Sequence, residues 1–448
     1  MLLEIEYAAA NCPPRSFIGT LATYEESHMR PVTELSLPYL AIGSPEFAKD
    51  PISQFNAARA QHPWLAKTDY GYVITEYAAI KDLLGMDAQM RPPHEVIIDA
   101  MNARGSRWER FQLESVLAIH NADHKRIRDV VAPMFTPRAA NQHRALMRQV
   151  ISRALDEWSP KGRFDFEEFA SYFPITVMCS LLGASPCIVP GLRSSLEALG
   201  LSFNLIPGFL PQLEKACEVL EDALATLVAD RRAGRRLNAE PDLLDPLLEA
   251  RDSGGISEGE LKSLLIFLFV AGYDTSKNVL TFIMHDMLHH PKMYARCAED
   301  LAYCHKVVEE SMRYRSPGTS ARLTNVDLVY RDVMIPKNTM LFLPNGIAGR
   351  DPSAFPDPEK YDPDRQQVNR HIGFGRGMHL CLGQFIARAQ IEEGLHQIAQ
   401  RIKNPRLAGT YGYRPFPGVW GIKGLPIEFT PAPRPAEAAA VVEDGSVS

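Results

Sequence analysis

The stretch "HIGFGRGMHLCLGQ", residues His371–Gln384, holds two histidines, one cysteine and glycines that alternate at 373, 375 and 377. Glycine has no Cβ, so alternating glycines indicate a backbone that turns tightly or passes close to another group. Three kinds of site could use such a segment. It could cradle a phosphate, bind a metal ion, or hold a cofactor through Cys381.

The phosphate-binding and metal-site hypotheses both require residues that the sequence lacks. A dinucleotide-binding GxGxxG that starts at Gly373 requires Gly or Ala at position 378, where the sequence has Met378, and no phosphate-loop Lys-Ser/Thr follows. A zinc site needs more ligands than His379 and Cys381, and no second cysteine or histidine pair stands nearby at ligand spacing.

The third reading is a single thiolate ligand. Cys381 comes just before an amphipathic segment, "GQFIARAQIEEGLHQIAQRI" (383–402), that is typical of a helix. A thiolate at that position would be stabilised by the free N–H groups and the dipole of the helix start. The alternative is a buried free cysteine, which is the commonest role of an isolated Cys.

The segment "FGRGMHLCLG" resembles the haem-binding signature of the cytochrome P450 family at every fixed position, and the resemblance extends over residues 35–430. It implies a mainly α fold with a minor β region, a triangular prism around a buried haem b whose axial ligand is the Cys381 thiolate. By the same resemblance, four further residues contact the haem: Ala271, Phe374, Gly375 and Gly383.

The motif "EESMR" places Glu310 and Arg313 three residues apart, so that they share one face of a helix. On spacing alone this is a solvated surface pair. The resemblance instead implies a buried pair, completed by Arg365 of "YDPDR", that holds the cysteine loop in place.

A polar pair, Asp274-Thr275, interrupts the apolar helix expected over 261–286. Thr275 could simply bond back to the Ala271 carbonyl, and Asp274 could meet a cation. The resemblance implies an oxygen-activation motif, in which Thr275 positions bound dioxygen and Asp274 relays protons. Lys277 is unusual here, and we expect it to point to the far face of the helix or to pair with Asp274.

The two haem propionates need cationic partners, and the resemblance supplies four candidates. His124 and Arg128 are four residues apart on one predicted helix face, and Arg322 and His379 match the other two positions. The resemblance also implies a substrate pocket that draws on segments 92–106, 188–209 and 316–320. Its named residues are Phe267, Val270, Ala271, Val419 and Trp420, although Phe267 and Trp420 could be plain core.

The bulk composition is that of a globular enzyme. The 448 residues are 46% hydrophobic and carry a net charge of −6, which argues against a nucleic-acid binder. Seven cysteines without a CxxC indicate a reducing compartment, and we find no apolar run of about 18 residues that would anchor the chain in a membrane. The sequence predicts a cytoplasmic monomer with one catalytic domain, 35–430, between a loosely ordered segment, 1–34, and a disordered tail, 431–448.

Periodicity and turn residues predict local elements besides the helices over 261–286 and 383–402. The further elements are helices over 122–135 and 141–158, a strand within 70–77, paired strands over 323–345 with "PKN" as their turn, and a terminal hairpin over 418–429.

The resemblance is to soluble bacterial members, and it implies hydroxylation or epoxidation of a small hydrophobic substrate such as a terpenoid, aromatic or steroid. Dioxygen is the oxidant, and a [2Fe–2S] ferredoxin with its reductase supplies electrons, docking on a basic surface around Lys125, Arg126 and Arg376. Two alternatives stay open, a peroxide-driven peroxygenase and a non-catalytic haem sensor.

Overall fold

A computed structural model describes residues 29–202, 207–237 and 242–434 of the chain. Helices dominate it, as the sequence predicts. In chain order they are α1 Pro45–Lys49, α2 Pro51–Gln61, α3 Tyr77–Leu83, α4 His94–Ala100, α5 Arg107–Glu114, α6 Asn121–Val131, α7 Pro137–Gln142, α8 Arg144–Trp158, α9 Phe166–Leu181, α10 Val189–Gly200, α11 Leu210–Arg232, α12 Leu244–Asp252, α13 Glu258–Leu288, α14 Pro291–Glu299, α15 Leu301–Tyr314 and α16 Gln384–Arg401.

The strands are short and form a minor part of the fold. They are β1 Arg30–Pro31, β2 Leu65–Thr68, β3 Gly71–Ile74, β4 Met90–Arg91, β5 Arg163–Asp165, β6 Ser320–Thr324, β7 Leu328–Tyr330, β8 Val333–Ile335, β9 Met340–Leu343, β10 Ile402–Leu407, β11 Gly412–Tyr413, β12 Ile422–Lys423 and β13 Pro426–Pro431. They assemble into sheets ordered β2-β3-β9-β6-β4, β1-β8-β7, β10-β13-β5 and β11-β12.

Helix α13 runs through the centre of the molecule. It is 31 residues long and begins at a capping box, in which Ser257 and Glu260 bond each other's backbone N–H groups. Most of its side chains are buried, which explains why its sequence is apolar almost all round. It packs most extensively on α9, and α16 packs against α8, α14 and α15. The cysteine loop directly precedes α16 and therefore adjoins this helical packing.

Two predicted hairpins are wrong in their pairing. The "PKN" turn joins β8 to β9, but β8 pairs with β7 and β1, whereas β9 pairs with β3 and β6. Likewise β12 pairs with β11, while β13 pairs with β10 and β5. The alternation of each strand is local information, but its partner is chosen by distant segments.

Ordered structure begins earlier than the predicted domain boundary at residue 35. Residues 30 and 31 form β1 beside β8, and Val32 is 1% exposed, so part of the segment expected to be loosely ordered belongs to the core. Residues 1–28 and 435–448 lie outside the described residues. Helix α6 is shorter than predicted: it ends at Val131 and continues as a 3-10 turn over Ala132–Phe135, because Pro133 lacks the N–H that would extend the α-helical hydrogen bonding. Within the described ranges, no helix has the length and apolarity that a membrane crossing requires.

Candidate cofactor and substrate site

The cysteine loop and the middle of α13 face each other across a cavity of about 280 Å³. Helix α13 contributes Ala271, Gly272 and Thr275 to its wall. The opposite wall includes Cys381 and Gly383. The structure thus brings the thiol and the Asp-Thr region together, although about a hundred residues separate them in sequence. Among the described cysteines, Cys381 is the one that lines this cavity.

The shape of the cysteine loop depends on its glycines. Gly375 and Gly377 adopt left-handed backbone angles of φ +75° and +72°, which favour glycine. A Cβ at Gly377 would lie 2.4 Å from the Leu84 carbonyl oxygen, so the loop packs directly against the end of α3. The Cys381 N–H then donates to the Phe374 carbonyl at 2.9 Å, which fixes the cysteine at the mouth of α16.

The electrostatic surroundings of the Cys381 sulfur are mixed. Burial raises the pKa of the Cys381 thiol above its usual value, whereas the Gly383 N–H and the charges of Arg128 and Arg388 lower it. The net result is a raised pKa, so these residues alone do not hold a stable thiolate. A metal cation at the sulfur would supply the missing compensation, because bound metals deprotonate thiols.

Four cationic or potentially cationic side chains gather beside the loop. Burial lowers the pKa of Arg322, and the nearby Asp87 carboxylate offsets this in part, but Asp87 Oδ2 accepts from the Met378 N–H at 2.7 Å. Arg322 is 8% exposed and donates to the Ala321 carbonyl, and Arg128 donates to the Leu380 carbonyl. Within the described ranges, neither guanidinium has an Asp or Glu oxygen within 4.0 Å. The buried Nε2 of His379 has no hydrogen-bond partner there, and its ring lies 4.6 Å from the ring of His124.

The surroundings of His379 show that this cluster lacks sufficient negative charge. Burial, followed by the nearby charges of Arg322 and His124, lowers the pKa of His379 to about 2. Buried cations without counterions are costly, so this corner suits an anionic group. The two carboxylates of haem b would fit it, with the cavity between α13 and Cys381 for the ring, and all four residues predicted from the sequence lie here.

On α13, Thr275 and Asp274 make the hydrogen bond and the ion pair that a purely structural role would require. Both residues also line a cavity. Thr275 Oγ1 donates to the Ala271 carbonyl at 2.9 Å, while Thr275 also lines the cavity. Asp274 is 1% exposed, pairs with Arg414 and accepts from Asn278 Nδ2 at 3.2 Å. Its second oxygen, Oδ2, has no partner among the described residues.

Lys277 does not point to a solvent-facing side of the helix. Its side chain is 2% exposed, and its Nζ lies 2.6 Å from Glu167 and 3.6 Å from Asp274. Lys277 does not line the cavity between α13 and Cys381, as expected of the far face of the helix, and it also lies within ion-pair distance of Asp274, the alternative expectation. The main partner, Glu167 on α9, lies 110 positions away in the chain, and no local pattern could identify it.

The Glu310–Arg313 pair is fully buried, as the resemblance implies. Arg313 Nη2 lies 2.7 Å from Glu310, both side chains are 0% exposed, and the guanidinium also donates to the carbonyls of Gly349, Pro358 and Lys360. Arg365 joins less directly. Its Nε lies 3.6 Å from Glu310 Oε1, and it donates mainly to backbone carbonyls of the loop over 356–360. The surface alternative is excluded.

A second network beneath the cysteine loop was missed. Glu309 accepts from Arg388 at 2.6 Å and contacts His371 at 3.2 Å, which ties α15, the loop and α16 together. Burial alone would raise the pKa of Glu309, but hydrogen bonds from His371 and Arg388 lower it to about 2. Arg388 lies over the ring of Phe374 at 4.2 Å. The only sequence signal was a cation on the buried side of an amphipathic helix.

Two further cavities adjoin the first. One of about 130 Å³ is lined by Phe267, Val270, Ala271 and Val419, as predicted for the substrate pocket. Another of about 230 Å³ lies between Val419 and the Arg322–His379 corner. Leu117 lines all three cavities, so they are neighbouring compartments.

The predicted substrate segments contribute unequally. Residues 92–94 and 97 line the 230 Å³ cavity, and residues 199, 200 and 202 line the 130 Å³ cavity, while 203–206 lie outside the described residues. Trp420 is a correction: it lines none of these cavities, because its indole N–H donates to the Ala48 carbonyl and its ring packs on Phe282. Trp420 belongs to the core.

Comparison with known proteins agrees with this geometry. Residues 194–403 match the family model described as Cytochrome P450. The chain is 29% identical over 400 residues to luteothin monooxygenase of Streptomyces thioluteus, covering 88% of this chain and 96% of that protein. It is 31% identical over 303 residues to the polyketide biosynthesis cytochrome P450 PksS of Bacillus subtilis, covering 66% of this chain and 73% of that protein.

The fold agrees as well. The crystal structure of CalO2 superposes with a TM-score of 0.80 at 22% identity, over 88% of this chain and 100% of that one, which shows the shared fold. The P450 fold is built around a haem b held by a cysteine thiolate, the group that the thiol and the cationic corner fit. The family model, the relatives and the fold lead to one conclusion: this chain belongs to the cytochrome P450 family of haem-thiolate monooxygenases.

Proposed function

We propose that this P450 hydroxylates or epoxidises a small hydrophobic molecule, with Cys381 as the axial ligand and a [2Fe–2S] ferredoxin as electron donor. The observation that carries the proposal is the chain of cavities: the compartment between Cys381 and Thr275 opens toward apolar walls formed by Phe267, Val270 and Val419. These walls suit a terpenoid, aromatic or steroid skeleton. We expect the monomer to be the working unit.

Haem binding divides among three groups of residues. Cys381 Sγ would bind the iron, with the Gly383 N–H as a hydrogen-bond donor to the sulfur. Phe374, Gly375 and Ala271 would contact the ring, and His124, Arg128, Arg322 and His379 would hold the propionates. When bound, the haem supplies reductive activation of dioxygen and transfer of one oxygen atom to the substrate.

Replacing Arg322 with Met should weaken haem retention at least tenfold. The guanidinium is 8% exposed and would lose a charge-assisted pairing with a propionate, worth about 1.5–3 kcal/mol. The rate of haem transfer to apomyoglobin measures this loss. Arg104→Met is the matched control, because Arg104 is exposed and already paired with Glu95, Asp99 and Glu109. Equal transfer rates for both variants and the wild type would remove Arg322 from the propionate site.

Thr275 and Asp274 divide proton control between them. Thr275 Oγ1 can rotate its hydroxyl from the Ala271 carbonyl into the cavity, where it would donate to dioxygen. The Asp274 carboxyl lines the adjoining 130 Å³ cavity and would deliver protons toward that hydroxyl. This arrangement would favour transfer of oxygen to the substrate over release of hydrogen peroxide.

Thr275→Ala should divert most electrons to hydrogen peroxide while haem stays bound. The hydroxyl that orients oxygen and its proton is lost, but no ligand to the haem changes. The ratio of peroxide formed to NADPH consumed measures the diversion, in the presence of the compound that gives the largest spin-state shift in a library screen. Thr281→Ala is the matched control, since Thr281 lies on the same helix and donates to its own i−4 carbonyl. A ratio like that of the wild type would contradict the proposed role of Thr275.

The electron donor is tested in the same assay. The ferredoxin surface is less basic than the sequence implied, because Lys125 pairs with Asp129, and Arg126 pairs with Glu260 and Asp123. Turnover with a [2Fe–2S] ferredoxin and its reductase should exceed turnover with peroxide alone. The reverse order would favour a peroxygenase. If none of the compounds that shift the spin state is oxidised in step with electron supply, a haem sensor would be favoured.

A further inference from the structure

We propose that protons reach Asp274 through a buried lysine, Lys277, fed by the partly exposed carboxylate of Glu197. This inlet, defined as Glu197, Lys277 and Asp274, rests on the role proposed above for Asp274. It assigns a proton-transfer role to Lys277, a buried residue of α13.

Lys277 stands among three carboxylates. Its Nζ lies 2.6 Å from Glu167, 3.6 Å from Asp274 and 3.8 Å from Glu197. The lysine side chain is 2% exposed, so its charge depends on these partners. A lysine that served only to neutralise Glu167 would need one partner. The position of Nζ instead places one movable ammonium within reach of both Asp274 and a carboxylate at the surface.

The three carboxylates differ in their access to water. The Asp274 side chain is 1% exposed and lines the cavity beside Thr275, whereas the Glu197 side chain is 36% exposed. Glu197 also accepts from Tyr273 Oη at 3.0 Å and faces Arg193 at 3.4 Å, which holds it beside the lysine. The set therefore runs from solvent to the cavity through a single buried nitrogen.

Asp274 has one oxygen with several partners and one oxygen without a partner among the described residues. Arg414 and Asn278 bond its Oδ1, while the buried Oδ2 has no partner among the described residues. Gly200 closes the space beside Oδ2, since a Cβ there would lie 2.1 Å from it. Lys277 Nζ faces the same Oδ1, at 3.6 Å, so the proton arrives on Oδ1 as Arg414 or Asn278 gives way. A half-turn of the carboxyl group then carries this proton to the unpartnered position of Oδ2.

The transfer balances as two proton steps. The Lys277 ammonium gives one proton to the Asp274 carboxylate, which leaves a neutral amine and a carboxylic acid. Glu197, protonated from solvent, then gives its proton to the amine and returns to a carboxylate. The flexible lysine stem lets Nζ close the gaps of 3.6 and 3.8 Å, and Glu167 keeps the ammonium near both partners.

Lys277→Arg separates proton transfer from charge. Arginine keeps the positive charge that pairs with Glu167, but its guanidinium does not release a proton in a protein. We expect oxygen consumption by the haem-loaded variant to fall about tenfold or more. The assay uses excess [2Fe–2S] ferredoxin, its reductase and NADPH, and needs no known organic substrate. The solvent isotope effect in D₂O should rise above that of the wild type.

Three companions complete the experiment. Glu197→Gln tests the surface end at a position where a folding defect is not expected, Lys262→Arg is the control at an exposed lysine of the same helix, and Asp274→Asn sets the scale. Thermal melting checks the fold of each variant. If Lys277 acts only by passing protons to Asp274, the double variant Lys277→Arg/Asp274→Asn should consume oxygen no more slowly than Asp274→Asn alone.

The outcomes separate the two proposals. If Asp274→Asn is slow while Lys277→Arg or Glu197→Gln, correctly folded, runs at the wild-type rate, the inlet is overturned and the role of Asp274 stands. If Asp274→Asn itself runs at the wild-type rate, both the inlet and the proposed role of Asp274 are overturned.

Discussion

Replacing Arg313 with Met should lower the free energy of unfolding by about 3–5 kcal/mol. The substitution leaves the Glu310 carboxylate fully buried, with the Asp362 N–H at 2.7 Å and Arg365 at 3.6 Å as its remaining partners. It also frees the carbonyls of Gly349 and Pro358. Urea unfolding of the haem-loaded protein, followed by circular dichroism, measures the loss, and the Soret absorbance reports whether haem leaves with it.

Arg406→Met is the matched control for this experiment. Arg406 also makes a close ion pair, 2.7 Å from Glu428, but its side chain is 75% exposed, and exposed pairs contribute little to stability because water screens them. A loss below about 1 kcal/mol for Arg313→Met, similar to this control, would contradict the view that the buried network holds the cysteine loop.

Cys381→Ser should abolish oxidation of any substrate that the wild type turns over with ferredoxin. The hydroxyl of serine is not ionised at neutral pH and is a harder, weaker donor to iron, so the electronic push of a thiolate is lost. Product formation with the ferredoxin system should fall to that of the buffer control. Haem content, measured separately, distinguishes lost ligation from lost haem.

Cys187→Ser provides the comparison within the same chain. Cys187 is an exposed free cysteine that contacts Ser185 and lines none of the three cavities described above. It should retain wild-type turnover. Substantial activity of Cys381→Ser under these conditions would remove Cys381 as the axial ligand.

Much of the site followed from the sequence because its signals are local. The cysteine loop is one contiguous segment, and the composition and periodicity of helices α13 and α16 predict them directly. His124 and Arg128 share a face because they are four residues apart on α6. Family resemblance then linked these segments to one cofactor.

What the sequence could not predict depends on partners that are distant along the chain. The position of Lys277 is set by Glu167 and Glu197 on two other helices, and Glu309 meets Arg388 across 79 positions. The resemblance implies that Trp420 lines the pocket beside Val419, but its indole N–H donates to the Ala48 carbonyl. The partners of β8 and β9 were likewise decided by strands outside their turn.

The most direct test of the account is the absorption spectrum of the haem-loaded, reduced, CO-bound wild-type protein. A Cys381 thiolate that binds the haem iron predicts the strongly red-shifted Soret band of haem-thiolate proteins. A Soret band at the position typical of histidine-ligated haem would contradict the account, because it would mean that Cys381 does not bind the iron as a thiolate.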